Sequence, residues 1–256
     1  MLRASVALSA LAFDVLWQDE RLGDKPNPLS CPSPGATYEE RAELERTAWA
    51  ELEQVGLARH GRADEDLVEA LHLVRRPAVE LFGWVNGEGG HWSLLAAAAG
   101  PSAVLAVFAN DTLELHPVRV DALAEVVVSA LPEVAPARGH ALSVPVDAVS
   151  GPRDDGESGS FLHHAAGGGG GPEVTRFRQV MSAERRGVAQ LYAAVRDSYG
   201  QRRRVDRPLT VLDTVDGRWL VQRRPGNPGP DWLVAAPVDR RLLVTRLSEL
   251  RAELGR

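Results

Sequence analysis

The adjacent pairs His163-His164 and Asp154-Asp155 are the residues best suited by type to hold a metal or share a proton. A zinc centre needs three or four converging nitrogen, sulfur or oxygen ligands, and the chain offers one cysteine, Cys31, with scattered histidines. Both pairs also fall in a Gly-rich polar stretch, residues 151–171, with little to bury and nothing to preorganise them. The Gly167–Gly171 run is followed by no Gly-Lys-Ser/Thr, so it is no phosphate-binding loop. Gly156-Glu157-Ser158-Gly159-Ser160 departs from a nucleophile elbow at its last residue, and no apolar strand leads into it. An enzyme would have to assemble its site from scattered residues such as His116, Arg119 and Asp213. The residues contain no catalytic constellation, and no metal or cofactor is expected.

Binding chemistry remains. Arg202-Arg203-Arg204, with Arg207, is the basic cluster that could meet nucleic-acid phosphate. However, Lys25 is the only lysine among 29 basic residues, so arginine clusters carry less information here than elsewhere. Alternating arginines with no aromatic stacking motif read as the solvated face of an exposed strand. The tryptophans say more. Aromatic residues make up only 5% of the chain, so six tryptophans are a large share of its big apolar surfaces. Trp84 and Trp92 flank a hairpin loop, Asn86-Gly87-Glu88-Gly89-Gly90, while Trp219 and Trp232 lie on later strands. A sheet presenting some of these side chains would suit a partner helix.

Bulk composition narrows the class further. With 256 residues, 44% of them apolar, the chain can bury a sizeable core. Net charge −6 excludes nucleic-acid binding through the overall field. A lone cysteine fits a reducing compartment, and no apolar run approaches the roughly 20 residues of a membrane span. The stretch Ala4–Phe13 after Arg3 reads as a strand entering a helix and not as a signal peptide, since Ser9 and Asp14 interrupt it. A cytoplasmic protein is expected.

The elements that would position these residues are legible. A strand at Ala4–Leu8 leads to a helix capped by Ser9, and Gly23 suits its end. Thr37 and Glu40 form a capping box for a helix placing Leu44, Ala48, Leu52 and Val55 on one face. Asp64 caps the next helix, with Leu67, Leu71 and Val74 inward, and Pro77 ends it. The period then changes to that of strands at Val79–Val85, His91–Ala98, Ala103–Phe108 and Thr112–Val118. Their short connections leave no room for crossover helices, so the sheet must be antiparallel. A helix at Asp121–Leu131 and a strand at Leu142–Val146 follow. A helix at Glu173–Ala183 then leads to strands at Gly187–Val195, Gln201–Val205, Leu209–Thr214, Arg218–Arg223 and Trp232–Ala236, and a last helix carries Leu243, Leu247, Leu250 and Leu254.

The halves 1–135 and 140–256 resemble each other. Leu115-His116-Pro117-Val118 and Ala235-Ala236-Pro237-Val238 are both strand, proline and helix start, 120 residues apart. Ser5-Val6-Ala7-Leu8-Ser9 likewise resembles Ser143-Val144-Pro145-Val146-Asp147. The fold class predicted is α+β: a central antiparallel sheet with flanking helices, two pseudo-symmetric halves in one domain spanning 1–256. Residues 151–171 would be a flexible segment within it.

These residues also resemble a known family. Pro34-Gly35-Ala36-Thr37 with the acidic helix after it is similar to the entry of EspG proteins. So are Ala103–Val107 feeding Leu115–Arg119, Gly200–Arg204, Leu212–Thr214, Gly217–Val221 and the Ala236-Pro237 helix. EspG proteins are cytosolic chaperones of actinobacterial type VII secretion. The resemblance implies a partner rather than a substrate: a secreted protein of the PPE kind, or another helical hairpin, held at its apolar tip. The family surface combines the central sheet, the C-terminal helices and the loop between two early strands. Here that loop matches Asn86–Gly90, and the sheet residues would include Trp219 and Leu220.

Overall fold

A computed structural model of the chain describes residues 1–149, 171–226 and 229–255. Ser9 ends strand β1 (Val6–Ser9) and caps helix α1 (Ala10–Asp19), its hydroxyl accepting from the Ala12 amide at 3.0 Å. Helix α2 (Tyr38–Gln54) starts on the expected capping box: Thr37 Oγ1 accepts from the Glu40 amide while the Glu40 carboxylate accepts from Thr37 N. Its apolar stripe is narrower than the periodicity predicts. Ala48 and Leu52 are buried, but Val55, the C-cap residue, is 58% exposed. A small hairpin absent from the sequence reading, β2 (Ala58–Arg59) with β3 (Arg62–Ala63), leads into α3 (Glu65–Arg75), which Asp64 caps through two amides.

Four strands follow: β4 (Val79–Gly87), β5 (Gly90–Ala99), β6 (Ser102–Ala109) and β7 (Thr112–Pro117), closed by α4 (Leu123–Ser129). The second half opens with β8 (Leu142–Pro145) and a one-turn α5 (Val146–Val149). After α6 (Pro172–Ser182) come β9 (Arg185–Arg196), β10 (Arg202–Arg204), β11 (Leu209–Thr214), β12 (Gly217–Arg224), β13 (Trp232–Pro237) and α7 (Arg240–Glu253).

All these strands except the small hairpin join one antiparallel sheet in the order β1-β7-β6-β5-β4-β9-β11-β12-β13-β8, with β10 added to β9. The order is a palindrome. Each half contributes an edge strand, a three-strand meander and a central strand, and the halves meet where β4 pairs with β9. Matching hydrogen bonds recur at the two strand-Pro-helix junctions: Val118 N donates to Ala103 O at 3.1 Å, and Val238 N to Arg218 O at 3.2 Å. At the edges the equivalence differs from the sequence alignment. Val6 pairs with Leu115 and Leu142 with Ala235, so Val6 matches Leu142 and not Val144, a shift of two residues. Such a shift leaves every side chain on the same face, which is why the pattern alone could not detect it.

Helices cover both faces. On one, α1, α2 and α3 bury Phe13, Leu16, Trp17, Leu67 and Leu71 against Phe82, Leu95 and Leu113, while Phe177 and Met181 of α6 pack beside Leu212 and Val221. On the other, Leu123 and Val127 of α4 and Leu243 and Leu247 of α7 pack on Leu81, Leu94, Leu191 and Val211. Among the described residues no helix is long and apolar enough to cross a membrane.

Candidate partner-binding surface

The β4–β5 hairpin projects from one end of the sheet. Asn86, Glu88, Gly89 and Gly90 are exposed, and Gly90 takes φ +101°, which favours glycine. Gly87 is paired with Gly90 on one side and with Gly187 of β9 on the other, so these three neighbouring positions carry no side chains. A Cβ at Gly187 would stand 3.3 Å from the Asn86 carbonyl oxygen. Beside the glycines lie Val188 and Val215, the latter 46% exposed in the β11–β12 turn. Together with Arg186 and Glu88, whose charges stand 3.8 Å apart in solvent, they line a shallow groove of about 590 Å³. A second groove of about 420 Å³ continues past Val215 to Val180, Ala183 and the edge of Trp219. A few partly exposed apolar side chains and one long, solvent-exposed ion pair line these grooves.

Apart from the edge of Trp219, the remaining candidate residues line neither groove. Trp84 and Trp92 follow the hairpin on opposite faces of the sheet: Trp84 packs against the α1–α3 core, Trp92 against the α4–α7 core. Trp84 stands edge-on to Phe82 and Tyr192, at 5.8 and 5.9 Å. Trp219 and Leu220, adjacent in sequence, also point to opposite faces and are 6% and 4% exposed, because helices cover both sides there. As the chain stands, they hold the sheet together rather than face a partner. Trp232 is exposed, but at the start of β13, at the far end of the sheet from the hairpin.

The residues of the alternative sites are not brought together. His116 on β7 and Asp213 on β11 are five strand spacings apart, about 24 Å. Arg119 is paired with Asp121, and Asp213 is committed to Arg218 by two bonds of 2.6 and 2.7 Å. Of the three arginines on β10, Arg202 binds Glu80 at 2.5 Å and lies over the Phe82 ring, and Arg204 lies over Tyr192. Two of the three thus fold back on the protein. Asp154-Asp155, His163-His164, Gly156–Ser160 and all but the last residue of the Gly167–Gly171 run lie outside the described residues. Among the described residues, no group of three or more His, Cys, Asp or Glu side chains is placed to hold a metal.

The model of the EspG family matches residues 9–249. The chain belongs to the EspG family. Its fold is also that of a solved family structure: the Mycobacterium tuberculosis type VII secretion system chaperone EspG5 in complex with the PE25–PPE41 dimer superposes with a TM-score of 0.68. That likeness covers 96% of this chain and 95% of the other at 14% sequence identity. Sequence comparison with curated proteins finds no match. EspG membership thus rests on the family pattern, and the low identity to EspG5 speaks for shared architecture alone.

Proposed function

We propose that this EspG protein is a cytosolic type VII secretion chaperone that binds a secreted PE–PPE-type substrate and keeps it soluble for export. The observation that supports it most is the end-to-end likeness to a chaperone captured with a PE–PPE dimer, in a chain that matches the EspG family over residues 9–249. The hairpin end of the sheet, Asn86–Gly90 with Val188 and Val215, is the part of this chain best suited to receive the client. Trp84 and Trp92 brace that hairpin from either face.

The role is physically economical. A client tip with exposed apolar side chains aggregates, and covering about 800 Å² on each partner removes it from water while leaving the complex separable. A competing binder can then take the client without nucleotide hydrolysis.

Co-expression with a PE–PPE pair from the same cell, followed by gel filtration, tests the reading. The expected result is a stable complex containing all three chains. Failure to co-elute with any such pair would overturn it.

A further inference from the structure

The end of the sheet opposite the hairpin carries a groove of about 960 Å³. It exists because β11 starts only at Leu209, while β12 runs on to Arg224 and β10 occupies the upper part of β9. The C-terminal turns of α7 roof the resulting gap with Arg246, Leu250 and Leu254. Six arginines line it, against three carboxylates, Asp206, Glu249 and Glu253, in a protein whose net charge is −6. The groove is therefore a local reversal of the protein's field.

Arg246 pairs with Glu249 at 2.7 Å and Arg204 lies over the Tyr192 ring, and the other four arginines fall into two sets. Arg207 and Arg223 are fixed by one carboxylate, Asp231, at 2.8 and 2.9 Å. Burial alone would raise the Asp231 carboxyl, but the charge of Arg207, the Gly226 amide and Arg223 outweigh it and hold the group below its ordinary pKa. The pair is thus a rigid part of the wall. Arg203 and Arg224 are exposed, lie on the α7 side of the sheet, and among the described residues make no ion pair. Arg224 is also opposite Trp232, which is 39% exposed on the same face. Two available guanidiniums and a leucine roof, with an exposed aromatic beside the groove opposite Arg224, are the ingredients of a protein-binding hot spot.

We propose that this groove is a second docking surface, taking an acidic protein segment in which carboxylates alternate with apolar side chains. The guanidiniums engage the carboxylates, and Leu250, Leu254 and Trp232 receive the apolar groups. Nucleic acid fits the site less well. Glu249, Glu253 and Asp206 would face a continuous line of phosphates, and the groove holds no ladder of aromatic rings for bases. The surface is separate from the hairpin corner, so it leaves that corner free for a client.

Fluorescence anisotropy with a labelled peptide of repeated Glu-Glu-Leu triplets tests the proposal on the full chain. Saturable binding at low salt is expected, weakening as ionic strength rises. The double variant Arg203→Glu, Arg224→Glu should weaken it about tenfold or more, whereas Arg46→Glu on the distant α2 should not. Both positions in the double variant are exposed, and an unchanged melting temperature would confirm that the fold is intact. Absence of binding, indifference to the double charge reversal, or equally tight binding of an oligothymidylate would each overturn the proposal. None of these outcomes bears on co-elution with a PE–PPE pair, so the two readings fail separately.

Discussion

Gly83 and Leu191 face each other at the centre of the sheet, and the pseudo-twofold axis relating the two halves passes between them. On one side of this pair Phe82 is opposite Tyr192, and on the other Trp84 is opposite Gln190. Rotation about the axis exchanges the two pairs, so Trp84 and Tyr192 occupy equivalent places and touch edge to face. The close approach of β4 and β9 depends on the missing side chain: a Cβ at Gly83 would lie 2.2 Å from the Gln190 carbonyl oxygen.

Replacing Gly83 by alanine should therefore force the halves apart where β4 pairs with β9. The blocking atom is backbone and cannot swing aside. We expect a loss of about 2 kcal/mol or more, lowering the melting temperature by about 2–4 °C per kcal/mol for a chain of this size. Calorimetry on Gly83→Ala checks this, and an unchanged melting temperature would mean the seam can open without cost.

The buried pair Asp213–Arg218 invites a sharper comparison. It spans β11 and β12 five residues apart around a two-residue turn, and its place in the first half is held by Ala98 opposite Ala103. The Arg218 guanidinium also donates to the Pro132 carbonyl at 2.8 Å, tying the chain just after α4 to the second half of the sheet. Removing one member leaves a buried charge alone. Asp213→Ala should cost about 3–5 kcal/mol, whereas the double change to alanine, copying the first half, should cost clearly less than the two single changes summed. A double-mutant cycle by chemical denaturation measures the difference. Simple additivity would show that the pair contributes nothing as a pair.

Acid should unlock the N-terminal helices. Asp14 of α1 is fully buried and bound by Lys25 at 2.5 Å, Arg41 of α2 at 2.7 Å and Ser33 at 3.0 Å. Burial pushes its carboxyl up, but those three partners outweigh burial and hold it below the ordinary carboxylate value. A carboxyl depressed on folding stabilises the protein above its unfolded pKa of about 3.9, and that stability drains away as pH falls through the lower folded value. Stability measured between neutral pH and pH about 3 should fall in the wild type. Asp14→Asn should be less stable at neutral pH by about 3 kcal/mol, with a shallower acid slope. Parallel slopes for the two proteins would rule Asp14 out as the group responsible.

The elements that sequence made legible are those decided by local chemistry. The Thr37–Glu40 box and the Asp64 cap need only neighbours three residues away, and both form as expected. The palindromic strand order was visible only where its junctions repeat, at Pro117 and Pro237. The β2–β3 hairpin escaped because two-residue strands have no period, although Gly61, at φ +68°, offered a turn signal. Whether a strand tryptophan is core or surface is a tertiary matter: helices cover both faces of the sheet at Trp219, and no local pattern reports what packs on a strand's second side. The roles of Arg202 and Arg204 were hidden likewise, since their aromatic partners lie more than a hundred residues away or across a strand.

The hairpin corner supplies the last test, which rests on the chaperone reading. Val215 sits in a turn beside Gly87 and Gly187, 46% exposed, so a charged side chain there meets water in the free protein and an apolar client surface in the complex. Val215→Glu should leave the melting temperature unchanged and weaken client binding about tenfold, which is 1.4 kcal/mol. Tyr199, 89% exposed in the β9–β10 connection at the opposite end, provides the control. Tyr199→Ser removes a larger and more accessible apolar surface and should leave client affinity as it was. Titration of a PE–PPE pair by calorimetry separates the cases: equal losses at both ends would point to the sheet as a whole, and loss only at Tyr199 would move the client to the end of the sheet opposite the hairpin.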